Sequence, residues 1–181
     1  DPFQAEAVDF IDQNQSVLVA APTGVGKTLI ADYIIEKIFR EGGKVVYTAP
    51  IKALSNQKFR EFKAIVGPEA MGILTGDVVI NPEAPILIMT TEIFRNMLQE
   101  DPERVHDVRY VIFPERGSVW EESLIFMPPT MRFLGLSATI PNVDQLASWI
   151  EDVQKQEVQI VTHEERIVPL QHALYERSLG I

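Results

Sequence analysis

Cysteine is absent from this 181-residue chain. Its absence excludes disulfide staples and thiolate metal sites and fits a reducing compartment, so the expected location is cytoplasmic. Long hydrophobic runs are missing as well: the apolar stretches are far too short to span a bilayer, and no signal peptide is visible. Basic residues are scarce, 16 Lys and Arg against 26 Asp and Glu, for a formal net charge of -10. A strongly basic nucleic-acid coat is thereby ruled out, while a local basic patch is not. Aromatic residues make up only 8% and are not interleaved with basic ones in the way that stacks successive bases. The three histidines, His106, His163 and His172, lack metal-ligand spacing, so no zinc site is expected. The first residue is Asp1, not Met, and the natural N-terminus is expected to lie upstream.

What is present is an ordinary globular balance, 46% hydrophobic and 23% charged, in a chain long enough for one domain or one lobe of a larger enzyme. The charge is uneven. Residues 1–65 carry eight acids and eight bases, so the whole excess of acid falls in 66–181. That excess is either a solvated acidic face or a sign that a polyanion docks near the first half. Short apolar runs predict strands at 16–21, 44–48, 71–74, 86–90, 108–113, 132–137 and 158–161. Amphipathic stretches predict helices at 27–40, 53–63, 92–98, 119–126 and 143–150. In the first of these Leu29, Ile30, Tyr33, Ile34 and Ile38 share one face, and Gly42-Gly43 stops it. Trp120, Leu124 and Ile125 read as core, and Glu121-Glu122 as a solvated helix face. Strands alternating with helices mean βαβ crossovers, hence an α/β fold with a mostly parallel sheet covered by helices on both faces.

One loop carries clear chemistry. Ala21-Pro22-Thr23-Gly24-Val25-Gly26-Lys27-Thr28 lies between a strand and a helix and matches the Walker A pattern from Gly26 onward, with Ala21 in place of the first glycine. Gly24 and Gly26 let the backbone wrap a phosphate, and the N–H groups of residues 24–28, Thr23 and Val25 flanking the glycines, face it at the positive end of the helix. Lys27 can reach the outer phosphates, and the Thr28 hydroxyl can ligate Mg2+. The competing reading is a plain glycine-rich βα turn. Upstream, Asp1-Pro2-Phe3-Gln4 has two readings. The Gln4 amide can pair with the N6/N7 edge of adenine. Equally, Asp1 is an N-cap, Pro2 the first helical residue, and Gln4 closes a capping box.

Four later segments follow in fixed order: Ala49-Pro50-Ile51-Lys52-Ala53-Leu54-Ser55-Asn56-Gln57-Lys58, Thr75-Gly76-Asp77, Met89-Thr90-Thr91-Glu92, and Leu136-Ser137-Ala138-Thr139-Ile140-Pro141-Asn142. With the phosphate loop, they closely resemble the first RecA-like domain of superfamily-two DExH helicases, and within those the superkiller-type branch of RNA helicases. The resemblance covers nearly all of the chain. It implies a RecA-like domain over residues 1–162, with 163–181 a tail leading to a second RecA-like domain that completes the site. It also implies ATP and Mg2+ as ligands, and ATP hydrolysis coupled to movement along single-stranded RNA, with DNA of the related repair branch as the alternative. By the same resemblance Pro50, Lys52, Gly76, Thr90, Thr91 and Arg95 grip the strand by its backbone. Ser137, Ala138 and Thr139 link the two sites. Thr91 as a plain helix cap and 75–77 as a plain turn are the competing readings. Arg116 reads either as a phosphate contact or as a surface ion pair.

The resemblance also exposes a gap. An NTPase of this kind needs an Asp at the end of a neighbouring strand to hold Mg2+ and a Glu to orient water. The family places Asp-Glu-x-His and a short loop after the strand that here ends at Phe113, and before Pro114-Glu115-Arg116-Gly117. Both flanks are present, and about eight residues between them are not. The expectation is that the natural protein carries this acidic segment. The other accounts are a deletion that leaves a non-hydrolysing ATP-dependent binding module, or substitution by Glu115, against which Pro114 and the shifted register stand.

Overall fold

The computed structural model describes residues 1–49, 56–115, 117–138 and 142–165, the side chains of Asn56, Gln57 and Ser118 excepted. Among these, eight strands form one sheet: β1 (Ser16–Ala20), β2 (Lys44–Ala49), β3 (Met71–Leu74), β4 (Val79–Ile80), β5 (Ile86–Thr90), β6 (Val108–Phe113), β7 (Arg132–Ser137) and β8 (Val158–Thr162). Their order across the sheet is β4-β3-β5-β2-β6-β7-β1-β8. Every neighbouring pair is parallel except β3 and β4. The mostly parallel sheet read from the sequence is therefore present, with one short antiparallel edge that the sequence does not announce.

Burial explains the composition of the strands. A parallel strand covered on both faces reads as a continuous apolar run, and every residue of β1 and β5 is buried. Successive side chains point to opposite faces, which divides the interior in two. Val17, Val19, Val45, Tyr47, Ile86, Ile88, Ile112, Leu134 and Leu136 face one side. Helices α1 (Pro2–Asp12), α2 (Thr28–Arg40) and α3 (Asn56–Val66) cover it through Ala7, Ile34 and Phe62. Leu18, Ala20, Val46, Leu87, Met89, Val111, Phe113 and Phe133 face the other. There α4 (Thr91–Glu100), α5 (Ser118–Phe126) and α6 (Val143–Gln154) pack through Phe94, Trp120 and Ile150.

Two details of the apolar faces differ from expectation. On α2 the buried stripe is Ile30, Ala31, Ile34, Ile35 and Ile38, while Leu29 is 60% exposed. Six apolar residues, Tyr33 among them, fall in the span from 29 to 35, and the packing turns the helix so that Ala31 and Ile35 go in and Leu29 goes out. On α5, Trp120 and Leu124 are core, four residues apart on one face, but Ile125 lies about 100° further round and is exposed. The two ends of the described chain meet. The ring of Phe3 on α1 stacks on that of His163, just beyond β8, with centroids 4.7 Å apart. His163 N–H also donates to Ala20 O at 3.0 Å. No helix among the described residues is long and apolar enough to cross a membrane.

Candidate functional site

Parallel strands end together, so their carboxyl edge gathers the loops that follow them. The phosphate loop leaves β1 at this edge and enters α2. Gly24 and Gly26 have φ of 90° and 84°, a region that residues with a Cβ seldom occupy. At Gly26 space adds to conformation, because a Cβ would sit 2.8 Å from Gln4 Nε2. Val25 between them is buried and anchors the loop in the core, while Thr23 and Thr28 are exposed. Lys27 Nζ donates to the carbonyl of Ala21 and, at 2.8 Å, to that of Pro22. Partial burial holds its ammonium below the usual lysine pKa.

Gln4 serves both α1 and the phosphate loop. The capping box with Asp1 is formed. In addition Gln4 Nε2 donates to Gly26 O at 2.9 Å, which ties α1 to the phosphate loop. Beside the loop, Ala20 pairs with Ser137 across β1 and β7, and Ala21 N–H donates to Ser137 O at 3.1 Å. Ser137 is buried and Ala138 exposed at the strand end. Thr139 lies outside the described residues. A cavity of about 390 Å³ opens here, lined by Thr23, Lys27, Pro114, Glu115, Leu136, Ser137 and Ala138. One space thus joins the loop lysine, the end of β7 and the first residues after β6. Glu115 is the carboxylate in that lining.

The other half of the carboxyl edge belongs to β2, β5 and β3. Register sets their ends level: Ala49 pairs with Thr90, and Leu74 with Met89. Thr90 is buried, and its hydroxyl accepts from Ile93 N–H at 3.2 Å, so the cap of α4 is Thr90 and not Thr91. Thr91 begins the helix half-buried. Gly76 lies in the turn joining β3 to β4. Thr75 Oγ1 accepts from Val78 N–H at 2.9 Å and from Asp77 N–H at 3.3 Å, so the turn has a structure of its own. Arg95, on α4, points to α5, where Nη1 meets Glu122 Oε2 at 2.8 Å. Pro50 and Lys52 lie outside the described residues, as does Arg116. The edge therefore brings Gln4, Lys27, Ser137 and Ala138 together on one side and Gly76, Thr90 and Thr91 on the other. The Arg95–Glu122 pair joins residues 27 apart in sequence, and no local pattern signals it. A buried Thr48, whose Oγ1 donates to Ile112 O at 3.0 Å, stitches β2 to β6 where the two halves meet.

The architecture is that of known helicase domains. A solved DUF1998 helicase, MrfA, bound to DNA, superposes with a TM-score of 0.70 over 89% of this chain and 27% of its own, at 20% identity. Sequence relatives are closer. The chain is 47% identical to the ATP-dependent RNA helicase mtr4 of Schizosaccharomyces pombe over 97% of its length. It is 46% identical to the antiviral helicase SKI2 of Saccharomyces cerevisiae over 98%, and 46% identical to the exosome RNA helicase MTR4 of Homo sapiens over 97%. It spans only 14–17% of the length of these relatives. The SKI2 alignment runs over 186 positions while covering 98% of a 181-residue chain, so the relative holds several residues opposite gaps here. The DEAD/DEAH box helicase family matches residues 1–146. That match takes in the phosphate loop, the end of β7 and every strand but the last, and the chain belongs to this family.

Proposed function

We propose that this chain is the ATP-binding, first RecA-like domain of an RNA helicase, which couples ATP hydrolysis to movement along single-stranded RNA. The observation that carries the reading is the cavity shared by Thr23, Lys27, Glu115, Ser137 and Ala138. It joins the loop lysine to the end of β7 in one space, which supports reading the two as one site. The residues suit a magnesium-bound triphosphate. Two glycines at positive φ open the cradle, and the free N–H groups at the start of α2 face anions. Lys27 exchanges the Ala21 and Pro22 carbonyls for phosphate oxygens, and the exposed Thr28 hydroxyl is placed to meet the metal. Magnesium, when bound, neutralises charge on the outer phosphates. Gln4 holds Gly26 and so fixes the loop beside the base.

Pro50, Lys52, Gly76, Thr90, Thr91 and Arg95 are proposed to hold the strand through its phosphates. Ser137, Ala138 and Thr139 would carry the state of one site to the other. The proposed domain is 1–162, with 163–181 leading to a second RecA-like domain. The similar helicases whose names specify RNA favour RNA over DNA. The expected setting is intracellular.

A deletion between Phe113 and Pro114 is the second reading. The SKI2 alignment is longer than the part of this chain it covers, and in this reading the domain lacks the acidic segment, binds ATP and does not hydrolyse it. One experiment separates the two. Asp-Glu-x-His with its loop is inserted between Phe113 and Pro114, in the 181-residue chain and in a polypeptide that includes a second RecA-like domain. ATP turnover and its stimulation by single-stranded RNA and DNA are then measured. The helicase reading expects RNA-stimulated turnover only with the insertion and the second domain together. Helicase-like turnover by the unaltered 181-residue chain would defeat both readings.

A further inference from the structure

The helix that begins at the phosphate loop touches the helix that follows residues 50–55, and the contact is charged. Asp32 is one turn into α2, four residues past Thr28. Lys58, in the first turn of α3, stands between two carboxylates. Its Nζ is 2.5 Å from Glu61 Oε2 on its own helix and 3.9 Å from Asp32 Oδ1 across the interface. The nearer contact is a hydrogen-bonded pair. The farther is an ion pair about 1 Å too long to be one. Asp32 Oδ1 is buried and accepts no hydrogen bond among the described residues. Burial is the main cause that holds this carboxyl above its ordinary pKa, and Lys58 only partly offsets it. A folded-state value above the unfolded one means that the stabilising contribution is present at low pH and lost as pH rises. At neutral pH the charge of Asp32 therefore does not add to stability. Lys58 Nζ also lies 5.3 Å from the ring centre of buried Phe62, which meets Tyr47 of β2 edge-on at 5.0 Å. A shift of Lys58 thus reaches α3 and the strand leading to Pro50 and Lys52.

We propose that Lys58 is a positioning residue that carries nucleotide occupancy from α2 to α3, closing onto Asp32 when the phosphate loop is filled. This rests on the ATP-site reading above. Phosphates drawn to the start of α2 move its first turn, and a change of about 1 Å converts the open ion pair into a charge-assisted hydrogen bond.

Backbone hydrogen exchange of the 181-residue chain tests this, with and without magnesium and a non-hydrolysable ATP analogue. In the unaltered chain, exchange is expected to slow by about threefold or more in both 28–40 and 56–66. Lys58→Met and Asp32→Asn keep the slowing in 28–40 and lose it in 56–66. Lys58→Arg keeps both. Glu61→Gln, which releases Lys58 toward Asp32, slows 56–66 before any nucleotide is added. Asp32→Asn melts no lower than the unaltered chain at neutral pH, which separates lost coupling from lost folding. The inference is overturned if 56–66 slows equally in Lys58→Met, if Glu61→Gln leaves it unchanged, or if 28–40 alone responds in the unaltered chain. Slowing in neither segment would sink the ATP-site reading itself, and this inference with it.

Discussion

The two halves of the carboxyl edge hold themselves together differently. On the β6-β7-β1-β8 side the ties end on main-chain carbonyls: Ala21 N–H on Ser137 O, His163 N–H on Ala20 O, and the Lys27 and Gln4 side chains on carbonyls of the loop. On the β4-β3-β5-β2 side they run through side chains: the Thr90 hydroxyl under α4, the Thr75 hydroxyl in its turn, and Arg95 on Glu122. A main-chain cradle has one shape and suits a ligand of fixed shape. Hydroxyls and ion pairs exchange partners at small cost, which suits a polymer that must be gripped and released. The asymmetry fits a small triphosphate on one side and a moving strand on the other.

The largest test of this contrast is Lys27→Ala. Loss of a charge-assisted contact is worth about 1.5–3 kcal/mol, or roughly ten- to a hundredfold in affinity. Titration with a fluorescent ATP analogue should show that loss, with single-stranded RNA binding changed less than about twofold. An equal fall in both affinities would erase the distinction. The same lysine gives the proposed nucleotide half a pH signature. Its ammonium is held below the ordinary value of 10.5, so analogue binding should weaken with rising pH before an exposed lysine would lose its proton. A pH profile that stays level through the ordinary lysine range would remove Lys27 from the site.

A middle-sized effect is expected on the other half. Thr90→Val removes a buried cap and should lower stability by about 1 kcal/mol and Tm by about 2–4 °C, leaving analogue affinity intact. Thermal melting checks the first and titration the second. Smallest is Glu122→Gln. A half-exposed ion pair is worth about 0–1 kcal/mol, so Tm should barely move. Release of Arg95 should tighten single-stranded RNA binding by up to about threefold at low salt, and not at high salt, where charges are screened. Unchanged RNA affinity at low salt would place Arg95 outside the strand path.

Where the sequence is a good guide, local chemistry decides. β1 and β5 stand out because a parallel strand buried on both faces is apolar over most of its length, and the phosphate loop because positive φ demands glycine at fixed spacing. The sequence is a weaker guide where partners come from afar. Nothing near Arg95 announces Glu122, and nothing near Lys58 announces Asp32. The exposed face of α2 turns on which of six apolar residues the sheet accepts, a choice made by packing and not by periodicity. On paper Thr91 is the cap, ahead of a helix predicted from 92. The backbone turn selects Thr90 by aiming its hydroxyl at Ile93 N–H. The two-residue β4 is too short for any pattern, and exists because the Thr75 turn folds it back onto β3.

The stack of Phe3 on His163 has a consequence for the architecture of any longer polypeptide. It clasps the entry and the exit of the domain at one corner, beside the phosphate loop. Within the described residues the chain therefore enters α1 and leaves β8 side by side, the arrangement that lets a domain sit within a longer polypeptide.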